Sequence, residues 1–139
     1  MKKEIESLIP QRDPFLFVDE IIDFNQETII VKKTFTPDEY FFEGHFPHNP
    51  IVPGVILCEM CFQAGALYMS KTRGKTSENL AVVSRIQNAK FKNIVKPNDV
   101  LETQVSLTEQ LENAFYMKAK VVSNKKTVLT MNFACTLVS

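Results

Sequence analysis

Residues 53–71 read PGVILCEMCFQAGALYMSK, and this stretch decides the fold. Pro53 suits the first position of a helix, and Pro50 enforces a chain break just before it. Val55, Ile56, Leu57, Met60, Phe62, Ala64, Ala66, Leu67 and Met69 then place apolar side chains on every face. A helix that is apolar nearly all round is predicted to be buried on all sides. Between Val55 and Met69 the only long polar side chains are Glu59 and Gln63. Four residues apart, they project from the same helix face.

Working outward, the rest of the chain reads as strands. Residues 2–8 suggest a short helical turn stopped by Pro10. Residues 14–23, PFLFVDEIID, and 28–35, TIIVKKTF, are predicted strands joined through Asn25-Gln26-Glu27 as a hairpin. Residues 36–53 form a structured loop, because Tyr40, Phe41, Phe42 and Phe46 interleave with its prolines. Residues 71–78 form a polar connection. Four β-like runs follow at about 79–91, 99–109, 114–123 and 126–138, with turns at Lys96-Pro97-Asn98-Asp99, Glu112-Asn113 and Asn124-Lys125-Lys126. The order β-β-α-β-β-β-β predicts an α+β fold, a curled antiparallel sheet wrapped around one long central helix. The sheet edges and the mouth of the helix would still need cover, which points to a side-by-side dimer.

A chain of 139 residues suits one domain, spanning 1–139. The 16 basic and 16 acidic side chains cancel, so no global basic excess points to nucleic acid. The start, MKKEIESLIP, lacks the apolar core of a signal peptide. The longest apolar run is interrupted by Glu59 and Gln63, which argues against a membrane span and for a cytoplasmic protein. Cys58, Cys61 and Cys135 make an odd count that does not suit a disulfide framework. The spacing Cys58-x-x-Cys61 also occurs in redox pairs and zinc sites. The first needs an exposed thiol at a helix N-terminus, and the second needs two more ligands, for which only His45 and His48 are near in sequence. Packed core thiols are the expected reading, with no metal and no cofactor.

The chemistry gathers in residues 44–63, GHFPHNPIVPGVILCEMCFQ. An ionised carboxylate is costly to bury unless it is paired or neutralised. Glu59 in an apolar helix therefore has a partner or a perturbed proton affinity. Gln63 can hold its orientation by hydrogen bonding, although a buried Glu–Gln pair can also serve packing alone. His45 is the nearest upstream titratable candidate. Phe46 and Pro47 would fix and partly desolvate its ring, favouring a neutral base. A histidine and a buried acid are the minimum set for moving two protons in one reaction. Gly54 and Val55 open the helix with N–H groups that have no internal partner, where developing negative charge would be stabilised.

This stretch resembles the signature of the short 3-hydroxyacyl-acyl carrier protein dehydratases of bacterial fatty-acid synthesis, the FabZ type. His45, Pro50, Pro53, Gly54, Val55, Glu59 and Gln63 fall in register with it. LIPQRDPFLFVDEI resembles the family's N-terminal segment through Arg12, Pro14, Phe15, Leu16 and Asp19, and NAKFKNIVKPNDVLE its later motif around Phe91, Pro97 and Asp99. The resemblance implies the hot-dog fold and dehydration of (3R)-3-hydroxyacyl thioesters to trans-2-enoyl thioesters. His45 would take the C2 proton, and Glu59 would protonate the departing C3 hydroxyl. Gly54 would hold the carbonyl with Val55, while Gln63, Phe46 and Pro53 support the site. It further implies a homodimer with His45 and Glu59 from opposite protomers, trimers of such dimers, an acidic acyl carrier protein as partner and no cofactor.

Phe41, Phe42, Ile51, Ile56 and Met60 are candidates for an acyl channel, with hydrophobic core as the default reading of each. Lys71, Arg73, Lys90, Lys92 and Lys96 could supply a basic rim for the carrier, against ordinary surface charge as the default. Gln11, Asp13 and His48-Asn49 depart from the family's usual residues. They leave acyl length open, and with it the choice between primary fatty-acid synthesis and a polyene or other secondary pathway. A hot-dog thioesterase and a non-catalytic acyl-binding or assembly subunit are the alternative readings.

Overall fold

The computed structural model describes residues 1–73 and 80–138. The polar connection expected over 71–78 therefore lies, from residue 74 on, outside the described residues. Helix α1 spans Lys2–Leu8, strand β1 Glu20–Phe24, β2 Thr28–Thr34, helix α2 Gly54–Arg73, β3 Leu80–Phe91, β4 Val100–Leu111, β5 Ala114–Ser123 and β6 Lys126–Val138. A 3-10 turn, Tyr40–Glu43, lies in the long loop before α2. The six strands form one antiparallel sheet in the order β1-β2-β4-β5-β6-β3.

The turns follow from local chemistry. Asn25 Oδ1 accepts the N–H groups of Glu27 and Thr28, closing the expected first hairpin at 2.8 and 3.0 Å. Between β5 and β6, Asn124 and Lys125 both adopt positive φ, 53° and 64°. That is the conformation of a two-residue hairpin turn matched to strand twist. Along β5, Phe115, Met117, Ala119 and Val121 point into the core, while Tyr116, Lys118 and Lys120 point away. The alternation is what a half-buried strand requires.

The expected strand at 14–23 is shorter than its composition suggests; only Glu20–Phe24 is strand. Leu16, Phe17 and Val18 are all buried in succession, which a two-faced strand cannot do. Two of the segment's main-chain groups bond instead to the side chain of Gln63 in α2. Pro53 also falls one position outside the helix. Its C=O accepts from Ile56 and Leu57 N–H at 3.0 and 3.2 Å, opening α2 at Gly54.

Helix α2 lies against the sheet. Ile56, Leu57, Met60, Cys61, Gln63, Ala64, Gly65, Leu67, Tyr68 and Met69 are buried. Each large apolar side chain removed from water there contributes about 1.5–3 kcal/mol. The helix is nevertheless not covered on all sides, as its composition suggests. Val55 is 75% exposed, and Glu59, Phe62 and Ala66 are half-buried. These positions recur at helical spacing and form one uncovered stripe. Beyond it runs the free edge of β3, with Leu80, Val82, Val83, Ile86 and Phe91 exposed.

At Gly65 the helix packs tightly against the sheet. A Cβ there would stand 2.8 Å from Met117 Sδ and 3.0 Å from Phe133 Cζ. Overpacking of this kind costs about 1–3 kcal/mol. Gly65→Val is expected to lower unfolding stability by that amount in urea titration, and an unchanged or higher midpoint would contradict the packing described.

Candidate active site

The loop after β2 brings His45 to the entrance of α2. Its ring nitrogen Nδ1 lies 2.9 Å from the Ile51 C=O, and Ile51 N–H donates back to the His45 C=O at 3.1 Å. A main-chain carbonyl can only accept, so Nδ1 carries a proton, and in the neutral tautomer that follows Nε2 is the nitrogen with the lone pair. The Phe46 ring stacks on the imidazole, centroids 4.3 Å apart and 30° between planes. Phe46 is itself half exposed and His45 half-buried, so the ring is steadied more than it is enclosed. His48 is exposed.

Gly54 and Val55 supply the first two N–H groups of α2, ahead of the first that bonds back to Pro53. Val52 N–H donates to Val95 C=O at 2.8 Å, tying this tip to the loop after β3. The Phe91 ring lies directly against Gly54, with Cε1 3.0 Å from where a Cβ would be. Any larger residue at 54 would have to displace that ring. Phe91 is part of the tip, although nothing in its local sequence gives it that role. The contact joins residues far apart in the chain.

Glu59 sits on the uncovered stripe, one turn beyond the tip. Its Oε2 accepts from Gln63 Nε2 at 3.1 Å. Gln63 is wholly buried. Its Oε1 accepts from Phe17 N–H at 2.7 Å, and its Nε2 also donates to Phe15 C=O at 2.8 Å. Burial raises the pKa of Glu59 above the ordinary carboxylate range, and the Gln63 hydrogen bond offsets part of that rise. Cys135 is near enough to feel the carboxylate; burial and that charge push its thiol up to about 12. Burial likewise raises the thiol pKa of Cys58 and Cys61. Cys61 and Cys135 are buried and Cys58 half-buried, as packed thiols rather than an exposed pair.

Glu59 and Gln63 are thus brought together, as their spacing predicts. Within the chain His45 and Glu59 share neither a hydrogen bond nor an ion pair among the described residues. Of the channel candidates, Phe42, Ile56 and Met60 are buried in the chain's own core, while Phe41 and Ile51 are half-buried. Phe41 packs its ring between Phe35 and Phe42, at centroid distances of 5.5 and 4.8 Å. A cavity of about 310 Å³, opening among β3, β4, β5 and β6, touches none of these residues. Lys90, Lys92 and Lys96 are exposed near the helix tip, where Phe91 meets Gly54 and Val95 meets Val52. Arg73 ends the 20-residue α2, with its guanidinium over Phe115, 4.7 Å from the ring centroid. At 1.5 Å per residue that places it roughly 30 Å from the tip, so it shares no rim with those lysines. Lys71, at the same far end, pairs with Glu4 at 3.7 Å.

One antiparallel sheet curled against one long helix is the hot-dog fold. The model of the FabA-like domain matches residues 9–132. A 3-hydroxyacyl-acyl carrier protein dehydratase FabZ from Lactiplantibacillus plantarum is 38% identical over 128 residues, covering 91% of this chain and 86% of the relative. The FabZ of Caulobacter vibrioides is 38% identical over 141 residues, covering 97% and 86%. Among solved structures, the dehydratase heterocomplex ApeI:P from Xenorhabdus doucetiae superposes with a TM-score of 0.80 at 15% identity, covering 97% of this chain and 91% of that one. At that identity the likeness is one of fold. The chain belongs to the FabZ-type dehydratases of the FabA-like family.

The raised pKa of Glu59 has a consequence for stability. At low pH both the folded and the unfolded chain hold this proton. As pH rises past 4.5, the ordinary value for a glutamate, the unfolded chain releases it first, and stability falls until folded Glu59 ionises too. Glu59→Gln removes that loss. The melting temperature of the wild type is expected to fall relative to Glu59→Gln as pH rises from acid toward neutrality. A wild type that gains on the variant over that range would show that burial does not hold the proton.

Proposed function

We propose that this chain dehydrates (3R)-3-hydroxyacyl-acyl carrier protein thioesters to trans-2-enoyl thioesters, in fatty-acid synthesis or a related polyene or secondary acyl pathway. The observation that carries the assignment of roles is Glu59, a half-buried carboxyl with a raised pKa that Gln63 fixes in orientation. Such a group holds a proton nearer to neutrality than an ordinary carboxyl and can give it up at one defined position. His45 is its complement. With Nδ1–H engaged by Ile51, Nε2 is free to accept.

The reaction then follows. His45 Nε2 takes the C2 proton, and the electron pair moves toward the thioester carbonyl. The developing oxyanion is held by Gly54 N–H, with Val55 beside it; such a donor is worth about 3 kcal/mol. The C3–O bond breaks as Glu59 delivers its proton, and water leaves. One proton is taken and one is given, so the steps themselves call on no metal or organic cofactor. Hydration of the enoyl product uses the same groups in reverse.

The assembly proposed is a homodimer that covers the helix stripe around Glu59 and the free β3 edge. In it, His45 of one protomer faces Glu59 of its partner. Five exposed apolar residues on one unpaired edge support that reading, since such an edge invites a second strand. Trimers of these dimers are the larger assembly proposed. The carrier is expected to approach the tip of α2, where Lys90, Lys92 and Lys96 offer positive charge to an acidic protein. No helix among the described residues is long and apolar enough to cross a membrane, and the proposed location is the cytoplasm.

Mass spectrometry of a 3-hydroxyacyl carrier protein incubated with the enzyme tests the reaction directly. Loss of one water with the acyl chain still attached is the expected result; release of free carrier thiol would make the protein a thioesterase. Glu59→Gln and His45→Ala are each expected to slow turnover by about 10²–10⁴. Wild-type rates in either variant would remove its assigned role.

A further inference from the structure

The orientation of the Gln63 amide is not set by its own helix. Two of its three hydrogen bonds, to Phe15 C=O and Phe17 N–H, come from the main chain of the irregular segment before β1. Turning the amide over would set the buried Phe17 N–H and the part-buried Phe15 C=O each against the wrong atom, and such groups are disfavoured when unpaired. Where residues 15–17 lie therefore decides which way Nε2 points, and so whether Glu59 receives a donor.

That segment has an anchor of its own in Arg12. Its Nη1 donates to Ile9 C=O at 2.7 Å and to Gln11 C=O at 2.8 Å, and its Nη2 donates to Glu6 C=O at 2.8 Å. These carbonyls lie at and just beyond the end of α1, which Ile5 and Ile9 pin into the core. A planar guanidinium can hold several carbonyls in a fixed fork, which a lysine cannot. From Arg12 the chain turns at once: Phe15 N–H donates to the Arg12 C=O at 2.8 Å. Leu16, Phe17 and Val18 then enter the core.

We propose that Arg12 is a positioning residue for the reaction: it locks the end of α1 to the start of the 12–19 segment, fixing the Phe15 and Phe17 main-chain groups that aim Gln63 at Glu59. This deepens the dehydratase reading and rests on it. Arg12 acts through the main chain of Phe15 and Phe17 and through Gln63, and half of its side chain is exposed, so its removal does not open the core. Among the described residues of this chain, the titratable groups placed beside Glu59 are thiols. Cys58 and Cys61 share its helix, and Cys135 faces it from β6 with a pKa raised to about 12. The thiols stay neutral near pH 7, and the partner's His45, which faces Glu59 in the proposed dimer, is common to the wild type and every Arg12 variant, so a difference between their titrations reads the amide.

The experiment compares the wild type, Arg12→Ala, Arg12→Lys and Glu6→Gln on a 3-hydroxyacyl carrier substrate across pH, after circular dichroism shows each to be folded. Misaiming the amide withdraws a hydrogen bond from the Glu59 carboxylate, so Glu59 should hold its proton to higher pH. For Arg12→Ala, the alkaline limb of kcat is expected to move up by about half a pH unit. At its plateau kcat should fall about tenfold, with KM within about twofold of the wild type. Arg12→Lys keeps the charge but loses the fork; it should show the same shift, and it serves if Arg12→Ala does not fold. Glu6→Gln removes only the 4.0 Å ion pair to Arg12 Nε and should leave the profile unmoved.

The carbon-13 carboxyl signal of Glu59, assigned by its loss in Glu59→Gln, should titrate higher in Arg12→Ala, whatever the activity. Folded Arg12 variants with a wild-type limb and a wild-type Glu59 titration, or an effect confined to KM, would overturn the proposal. If instead the wild type fails to dehydrate the substrate, the dehydratase reading falls, and the Glu59 titration alone then judges the link from Arg12.

Discussion

One hydrogen bond organises the site: the Gln63 amide donating to the Glu59 carboxyl across 3.1 Å at the edge of the core. It sets two tendencies against each other. Burial favours a protonated Glu59, and the amide favours an ionised one. A carboxyl held between them can keep a proton until the substrate needs it and then carry the charge without collapsing onto a stray donor. The amide's other two bonds reach the main chain of residues 15 and 17. The N-terminal segment, which would look like a loose lead-in to the sheet, is therefore structurally continuous with the acid.

The fold positions this acid by leaving part of itself unfinished. The sheet covers most of α2 but not the stripe that carries Val55, Glu59, Phe62 and Ala66. A fully wrapped helix would shut Glu59 away from any substrate, and a fully exposed one would not raise its pKa. The same incompleteness leaves β3 paired on one side only. A second copy that covers both would enclose the acid further and bring a foreign loop, with its histidine, toward it. On the proposed dimer, the lack of a hydrogen bond between His45 and Glu59 within one chain follows from the assembly.

Much of this is legible in the sequence, for identifiable reasons. The long helix, the turns at Asn25 and Asn124, and the inward face of β5 follow from local composition and period. The pairing of Glu59 with Gln63 follows from a spacing of four. Other features depend on contacts between distant residues, which no local pattern encodes. Residues 14–19 have strand composition, yet part of their main chain bonds to a helix side chain and three successive residues are buried. The apolar ring of α2 suggests complete burial because composition cannot say how far a sheet will curl. Phe91 against Gly54 joins the end of β3 to the start of α2, and the proposed link from Arg12 to Glu59 runs through the main chain of Phe15 and Phe17 and through Gln63. Arg73 looks like a neighbour of the other basic residues until the length of α2 separates them.

The account stands or falls on an acid and a base supplied by different protomers. Mixing unfolded His45→Ala and Glu59→Gln chains, each slowed at least about a hundredfold alone, and refolding them together tests this most directly. Random pairing should restore about a quarter of wild-type dehydration, because each mixed dimer regains one site with both groups intact. If mixed dimers form, as tagged chains would reveal, and remain as inactive as either parent, His45 and Glu59 do not meet across the interface, and the mechanism derived from them is wrong.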